Sequence, residues 1–250
     1  MSVVAIVNQK GGVGKTTTAI NLGAALGALE RRVLIVDCDP QANASRGLGS
    51  DCSPPLLYDA LVGASGIEEA IRPTGFSGLD LVPSDRNLVG IEVELVGEED
   101  WEHRLRALLV GLSRYNTILL DCPPSLGHLT INALTAADGV LVPMQCEYFA
   151  LEGIAELLST VNRVRQRLNP SLSVAGILLT MYDDRTRLSR QVREELQLHF
   201  PEEMFKTVVP RNVRLAEAPS HGVPVLHYDI KSRGAQAYLD LAREYIERAA

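Results

Sequence analysis

The chain has 250 residues, 46% hydrophobic but only 5% aromatic, and a formal net charge of −7. That length suits one large α/β domain, the aliphatic excess suits a parallel sheet covered on both faces, and the acidic balance argues against nucleic-acid binding through bulk charge. No apolar run reaches membrane-spanning length and no basic leader precedes the first apolar run, so a soluble, cytoplasmic protein with no membrane partner is expected. The charge is uneven. Residues 1–159 carry 10 Lys/Arg against 20 Asp/Glu, whereas residues 160–250 carry 14 against 11, which leaves room for a local basic patch. Cys38, Cys52, Cys122 and Cys146 lack C-x-x-C spacing and predict buried free thiols, and the scattered histidines give little support to a His-based metal site.

Val3 to Val7 is a short, mostly β-branched apolar run and predicts a buried strand. Gly11, Gly12 and Gly14 then make a turn, and Lys15, Thr16, Thr17 and Thr18 lead into the helical pattern AINLGAALGAL. Strand, glycine turn and helix start form an anion cradle, because the backbone N–H groups and the helix dipole both favour negative charge. In such a cradle Lys15 reaches the β- and γ-phosphates and the Thr16 hydroxyl ligates Mg2+. The usual P-loop pattern requires a glycine where this chain has Gln9. What stands is Lys10-Gly11-Gly12-Val13-Gly14-Lys15-Thr16, with a second lysine inside the loop. The plainer alternative is a glycine turn that only packs a helix on a strand.

Arg31 to Gln41 predicts a second strand ending in acid, beside the crevice where α/β sheets bind ligands. Asp37 and Asp39 share a parity, so both could face that crevice. Asp39, ahead of Pro40, is placed to orient an attacking water, or else to cap the next short helix. Asn43 to Gly63 predicts a surface excursion with a short helix at Leu56 to Leu61, Ile67 to Ile71 a helical scrap, and Leu79 to Pro83 a third strand. Asn87 to Gly97 mixes Leu88, Ile91, Val93, Leu95 and Val96 with glutamates, and Glu99 to Leu112 predicts an amphipathic helix. Thr117 to Asp121 is an apolar strand ending in a carboxylate, the Walker-B pattern that holds Mg2+ directly or through water; a strand that simply ends at solvent is the alternative.

Gly127 to Ala137 predicts a helix, Gly139 to Pro143 a strand with its exit loop at Gln145 to Tyr148, and Ala150 to Leu168 a long helix stopped at Asn169-Pro170. Val174 to Thr180 predicts another strand. The helix that follows carries Arg187, Arg190 and Arg193 on one stripe, with Arg185 at its entrance. Met204 to Val209 predicts a further strand, Pro210 to Gly222 a proline-kinked loop capping a short helix, and Ser232 to Ala249 a closing amphipathic helix.

The segments KGGVGKTTT, VDCDPQ, LLDCPPS, QCEYFALEG, LLTMYDDR and PRNVRLAEAPSHG resemble the small ParA/Soj chromosome-partitioning ATPases over essentially the whole chain. The loop alone, with a lysine at each end, resembles the wider group of deviant P-loop ATPases that includes MinD-like proteins and nitrogenase iron protein. The resemblance implies a single P-loop ATPase domain over residues 1–250, a doubly wound, mostly parallel α/β sheet flanked by helices. It implies ATP held by Lys10, Gly11, Gly12, Val13, Gly14, Lys15, Thr16 and Thr17, with Mg2+ on Thr16 and Asp121. Pro210 and Asn212 would surround the adenine, the Asn amide pairing with the base edge. Lys10, Lys15 and Asp39 would carry hydrolysis, Lys10 by crossing a dimer interface to the partner's nucleotide. The resemblance further implies an ATP-driven homodimer whose dimer face includes the segment near Asn87, nonspecific double-stranded DNA bound through Arg185 and Arg214, a ParB-type centromere-binding partner that stimulates hydrolysis, and association with the nucleoid. Arg187, Arg190 and Arg193 are weaker DNA candidates, since such a stripe also serves as a solvated face. No helix-turn-helix segment precedes the loop, as in the short form of the family.

A MinD-like membrane cycle on the same fold is the nearest alternative and predicts a basic amphipathic C-terminal anchor, whereas this chain ends in the charge-balanced LAREYIERAA. A redox role like that of the nitrogenase iron protein needs two cysteines per subunit placed for a bridging cluster, and a scaffold that uses ATP only to polymerise is a third class.

Overall fold

Seven strands line up as one sheet: β1 (Ser2–Ile6), β2 (Val33–Asp37), β3 (Arg72–Pro73), β4 (Leu79–Val82), β5 (Thr117–Asp121), β6 (Gly139–Gln145) and β7 (Ser173–Thr180). This computed structural model describes residues 1–95, 97–148 and 150–248; Val96, Phe149 and Ala249, named in the expectations above, lie outside the described residues. The spatial order is β3-β4-β2-β5-β1-β6-β7, and every pairing is parallel except the short β3–β4 edge. The aliphatic runs have the two-sided burial that a covered parallel sheet demands. Val3, Ala5 and Val7 enter the core on one face, and Val4 and Ile6 enter it on the other. The first face is covered by helices His128–Ala136 and Ala150–Arg167, the second by helices Lys15–Ala28 and Arg233–Arg248.

Register sets the site. Ile6 and Asp37 both pair with Asp121, so β1, β5 and β2 end level, with the glycine turn and two acidic strand ends side by side. Ligands of open α/β sheets bind at such carboxyl ends.

Several expectations need correction. Met204 to Val209 is not a strand: it makes isolated bridges at Met204 and Pro210, because the Lys206 and Thr207 N–H groups donate instead to the Glu244 carboxylate (2.7 and 2.9 Å). The helix expected over Glu99 to Leu112 is a 3-10 turn at Trp101–His103 and a helix at Arg104–Leu109, ended by Val110 in extended backbone and Gly111 at φ 97°. The excursion after Asn43 holds two helices, Asn43–Gly47 and Leu57–Leu61, and much of it is buried, including Ala44, Ser45 and Leu48. Gln145 closes β6 instead of starting a loop, and Cys52 and Cys146 are only half-buried.

One glycine is fixed by close approach. A Cβ on Gly176 in β7 would run into the ring of Phe205, itself buried. Gly176→Ala should therefore cost about 2–3 kcal/mol by overpacking, a fall in Tm of roughly 4–12 °C for a chain of this size, measured by thermal unfolding.

Candidate active site

Helix Lys15–Ala28 starts after Gly14, which sits at φ 93°, and neither a capping side chain nor an acidic residue occupies its first turn. Its leading N–H groups are therefore open to an anion. Gly12 also has positive φ (76°), and a Cβ added at Gly11 or Gly12 would meet nothing within 4 Å. Those two glycines face open space, which weighs against a turn that only packs helix on strand. Side chains from β6, β7 and the loop itself hold the turn. Thr180 Oγ1 donates to the Val13 carbonyl (2.7 Å), Gln145 Nε2 to the Gly12 carbonyl (2.9 Å) and Asn8 Nδ2 to the Pro143 carbonyl (2.8 Å). Lys15 Nζ crosses the loop to the Lys10 carbonyl (3.1 Å).

Asp121 is completely buried at the end of β5, and among the described residues neither of its carboxylate oxygens has a donor in hydrogen-bond geometry. Burial pushes its carboxyl well above the usual carboxylate range, and the neighbouring Asp37 and Asp39 add to the rise; Thr16 and Lys15 act the other way. An orphaned buried carboxylate beside a hydroxyl and an ammonium fits a divalent cation bridging to phosphate. Among the described residues no group of three or more His, Cys, Asp or Glu could hold a metal alone. A cation here needs phosphate oxygens and water to complete its shell, which is how Mg2+ is usually held. Lys15 is nearly buried too; desolvation lowers its pKa, opposed by Asp121 and Asp39.

Asp37 does not face the cleft. Its Oδ2 accepts from the Ser45 N–H (2.8 Å) and hydroxyl (2.6 Å), and burial raises its pKa to about 6. Strand parity put it beside Asp39, but Asp39 lies past the end of β2, where the chain has turned. Asp39 Oδ1 accepts from the Gln41 N–H (2.8 Å), so Asp39 does cap its own turn, while Oδ2 takes no donor from the described residues.

Gly11, Gly12, Gly14, Lys15, Thr16, Thr17 and Asp39 line one cleft of about 610 Å³. Gly14, Thr17 and Met181 also border a more apolar pocket of about 300 Å³ walled by Pro210, Asn212, Leu215 and Tyr238. The cleft that holds the glycine turn, Lys15 and Asp39 thus adjoins a more apolar slot across a shared wall of Gly14, Thr17 and Met181, an arrangement that suits a phosphate chain joined to a base. Asn212 caps helix Val213–Glu217, its Oδ1 accepting from Arg214 N–H (2.9 Å). The cap takes one lone pair of that oxygen and leaves the Nδ2 donor and the second lone pair uncommitted.

Lys10 is placed elsewhere. Its ammonium pairs with Glu147 after β6, and its side chain lines a separate small cavity with Asn8, Met144 and Ile154. Arg185 and Arg214 also lie outside the cleft. Arg185 forks onto Asp183 through Nε (2.8 Å) and Nη2 (2.7 Å), and Arg214 pairs with Glu217 (2.8 Å) and Asp229 (3.3 Å). Arg187 and Arg190 are exposed, whereas Arg193 folds over the Tyr182 ring. Cleft residues missed in the sequence are Gln41, Asn43, Arg46, Pro124, Pro219, Ser220 and Tyr238. The first two sit inside the VDCDPQAN segment and could have been found there; Tyr238 carries no local signal.

The family described as an AAA domain matches residues 1–174. The chromosome partitioning protein ParA of Caulobacter vibrioides is 52% identical over 253 residues, covering 99% of this chain and 95% of that protein. The sporulation initiation inhibitor protein Soj of Bacillus subtilis is 53% identical over 245 residues, covering 97% of each. The chain belongs to the ParA/Soj family. A solved structure of cobyrinic acid a,c-diamide synthase from Mycobacterium smegmatis, with bound ADP and magnesium, is 37% identical with a TM-score of 0.85, covering 97% of this chain and 93% of that one. ParA/Soj membership accounts for the P-loop ATPase fold. Among the described residues no helix is long and apolar enough to cross a membrane.

Proposed function

We propose that this chain is an ATP-driven partitioning switch: ATP·Mg2+ closes two copies face to face, the dimer holds DNA without reading sequence, and hydrolysis releases it. The observation that carries this reading is Asp121, a fully buried carboxylate with both oxygens unpartnered beside an uncapped helix start. Mg2+ would rest on Asp121 and Thr16, supplying the charge that stabilises the phosphate oxygens. Lys15 and the loop N–H groups bind the phosphates, and Pro210 and Asn212 flank the adenine. Asp39, through its free oxygen, orients the water, and Lys10 reaches the partner's nucleotide. The relatives' names support the partitioning role, and the ADP and magnesium of the Mycobacterium smegmatis structure support the cofactors.

Turnover would be slow. Asp39 is the one obvious base, and nucleotide switches lacking an activator run near ~10⁻⁴ to 10⁻³ s⁻¹; a ParB-type protein would supply that activation. The closing helix favours this reading over a membrane cycle, since Tyr238, Leu241 and Ala242 bury its apolar face in the core. The deciding experiment is DNA binding with ATP, with ADP and without nucleotide. Binding with ADP equal to that with ATP would sink the switch.

Arg185 and Arg214 meet DNA phosphates in this scheme. Both arginines are exposed and their carboxylate partners only half-buried; pairs so open to solvent are weak in water, so phosphates can displace them. Arg185→Ala or Arg214→Ala should each weaken ATP-dependent DNA binding several-fold for any sequence, and lower the slope of log affinity against log salt by about 1. Fluorescence anisotropy at several salt concentrations reads both.

A further inference from the structure

A closed ring of hydrogen bonds at the ends of β2 and β4 has no part in the scheme above. Asp37 Oδ2 accepts from both the N–H and the hydroxyl of Ser45. Ser45 Oγ in turn accepts from the Ser84 N–H (3.0 Å). The Ser84 hydroxyl donates to the Asp39 carbonyl (3.1 Å), with the Asp85 carbonyl more distant at 3.5 Å. The ring closes where the Asp39 N–H donates to Asp37 Oδ1 (3.2 Å). Asp37, Ser45 and Ser84 are each 0% exposed.

The ring grips Asp39 at both ends of its backbone, N–H and C=O, while the side chain keeps one oxygen free at the cleft wall. Two of the anchors come from outside the Asp39 turn: Ser45 from the next helix, and Ser84 from just past β4, 45 positions along the chain. A turn that only had to reverse the chain would be complete with the Gln41 and Ala42 N–H bonds already made to Asp39. The extra bonds fix its orientation, and buried hydroxyl-to-carbonyl bonds of this kind are costly to leave unmade.

We propose that Ser84 and Ser45 are positioning residues for ATP hydrolysis, which with Asp37 lock the Asp39 turn so that its free carboxylate oxygen aims at the water attacking the γ-phosphate. The proposal rests on the hydrolytic role given to Asp39 under the proposed function. In the step served, the water oxygen bonds the γ-phosphorus as the bridging bond to ADP breaks, and the water's protons end on the phosphate and solvent. Ser84 touches neither ATP nor water; it acts through the Asp39 peptide.

The test is ATP turnover and fluorescent-nucleotide affinity for the full chain and for Ser84→Ala, Ser84→Cys, Asp39→Ala and the double variant Asp39→Ala/Ser84→Ala. Small misplacements of a positioned group cost up to about a hundredfold. The expected result is a fall in kcat of about tenfold in Ser84→Ala with nucleotide affinity within about twofold, and a smaller fall in Ser84→Cys, which keeps a donor at this position, though a bulkier and weaker one. The double variant should be no slower than Asp39→Ala, because the serine acts only through that residue. A ring that merely supports the fold would instead lower affinity and Tm together with rate, and that outcome overturns the proposal. So does an unchanged kcat in Ser84→Ala while Asp39→Ala is inactive, or a further loss in the double variant. Should Ser84→Ala not fold, Ser84→Cys carries the same readout. If Asp39→Ala hydrolyses ATP at the wild-type rate, the role of Asp39 falls and the proposal with it.

Discussion

Asp121→Asn should give a protein that unfolds at a higher temperature without nucleotide, yet no longer binds ATP in a magnesium-dependent way. The acid stands at the end of β5 between Ile6 of β1 and Asp37 of β2, where strand neighbours on both sides exclude water. Among the described residues neither oxygen has a donor in good hydrogen-bond geometry, although the Thr16 hydroxyl is near enough to favour the ionised form, and three carboxylates share this corner with one nearly buried lysine. A buried unsatisfied group costs about 1–3 kcal/mol, more when charged, so neutralising Asp121 should recover about 2 kcal/mol, or roughly 4–8 °C in Tm for a chain of this size. The pH dependence has a definite sign. Folding raises the Asp37 carboxyl to about 6 and Asp121 well above its ordinary range, whereas both sit near about 3.9 when unfolded. Between those values the folded chain binds more protons than the unfolded one. The nucleotide-free protein therefore loses stability as pH rises from about 4 through 6 and beyond. The Asn variant should show a shallower decline. Hydrolysis should fall about a hundredfold or more, since a Mg2+ ion supplies several kcal/mol of charge stabilisation. Calorimetry across pH, with nucleotide titrations at several magnesium concentrations, reads both halves. A variant less stable than the parent at neutral pH, or one keeping magnesium-dependent affinity, would contradict the account.

What the sequence made legible was contiguous. The cradle from Val3 to Thr17 reads as one strand–turn–helix unit because each part is a neighbour of the next, and the structure bears that unit out at Ser2–Ile6, Gly14 and Lys15–Ala28. Asp121 was visible because an acid directly after the apolar run Ile118-Leu119-Leu120 breaks the pattern. Apolar periodicity reports which side chains are buried but not where backbone N–H groups go, so Met204 to Val209 read as a strand although Glu244, 37 and 38 positions away, takes two of its donors. Parity likewise put Asp37 with Asp39, but it cannot see that Ser45 folds back to occupy Asp37. The walls of the more apolar pocket come from Thr180 at the end of β7, Asn212 ahead of helix Val213–Glu217 and Tyr238 in the closing helix, which are far apart in the chain. The Thr18–Tyr238 contact (3.1 Å) that seats this helix spans 220 positions. No local pattern encodes such a pairing.

Lys10→Ala should leave nucleotide binding nearly intact while removing everything that depends on a second copy. In the single chain the Lys10 side chain does not line the cleft of Lys15 and Thr16; it lines a separate small cavity and pairs with Glu147, both side chains about half exposed. The phosphates are then the charge of Lys15 and the loop N–H groups, none of which the substitution touches. An exposed ion pair such as Lys10–Glu147 is weak in water, so a partner's triphosphate, far denser in negative charge than one carboxylate, can draw the ammonium away when two copies approach. Across the interface that cation would neutralise charge building on the phosphoryl oxygens in a water-excluded site, where removing one such group costs about 10²–10³ in kcat. Lys10→Ala should therefore bind ATP·Mg2+ within a few-fold of the parent, remain monomeric with a non-hydrolysable analogue, hold DNA no better than the nucleotide-free protein, and hydrolyse ATP about 10²–10³ more slowly. Lys15→Ala should differ in kind, losing the nucleotide itself. Light scattering coupled to size exclusion, with anisotropy on duplex DNA, separates the two variants. A Lys10→Ala protein that still dimerises with ATP would remove the crossing lysine from the scheme, and with it the reason for a second lysine in this loop.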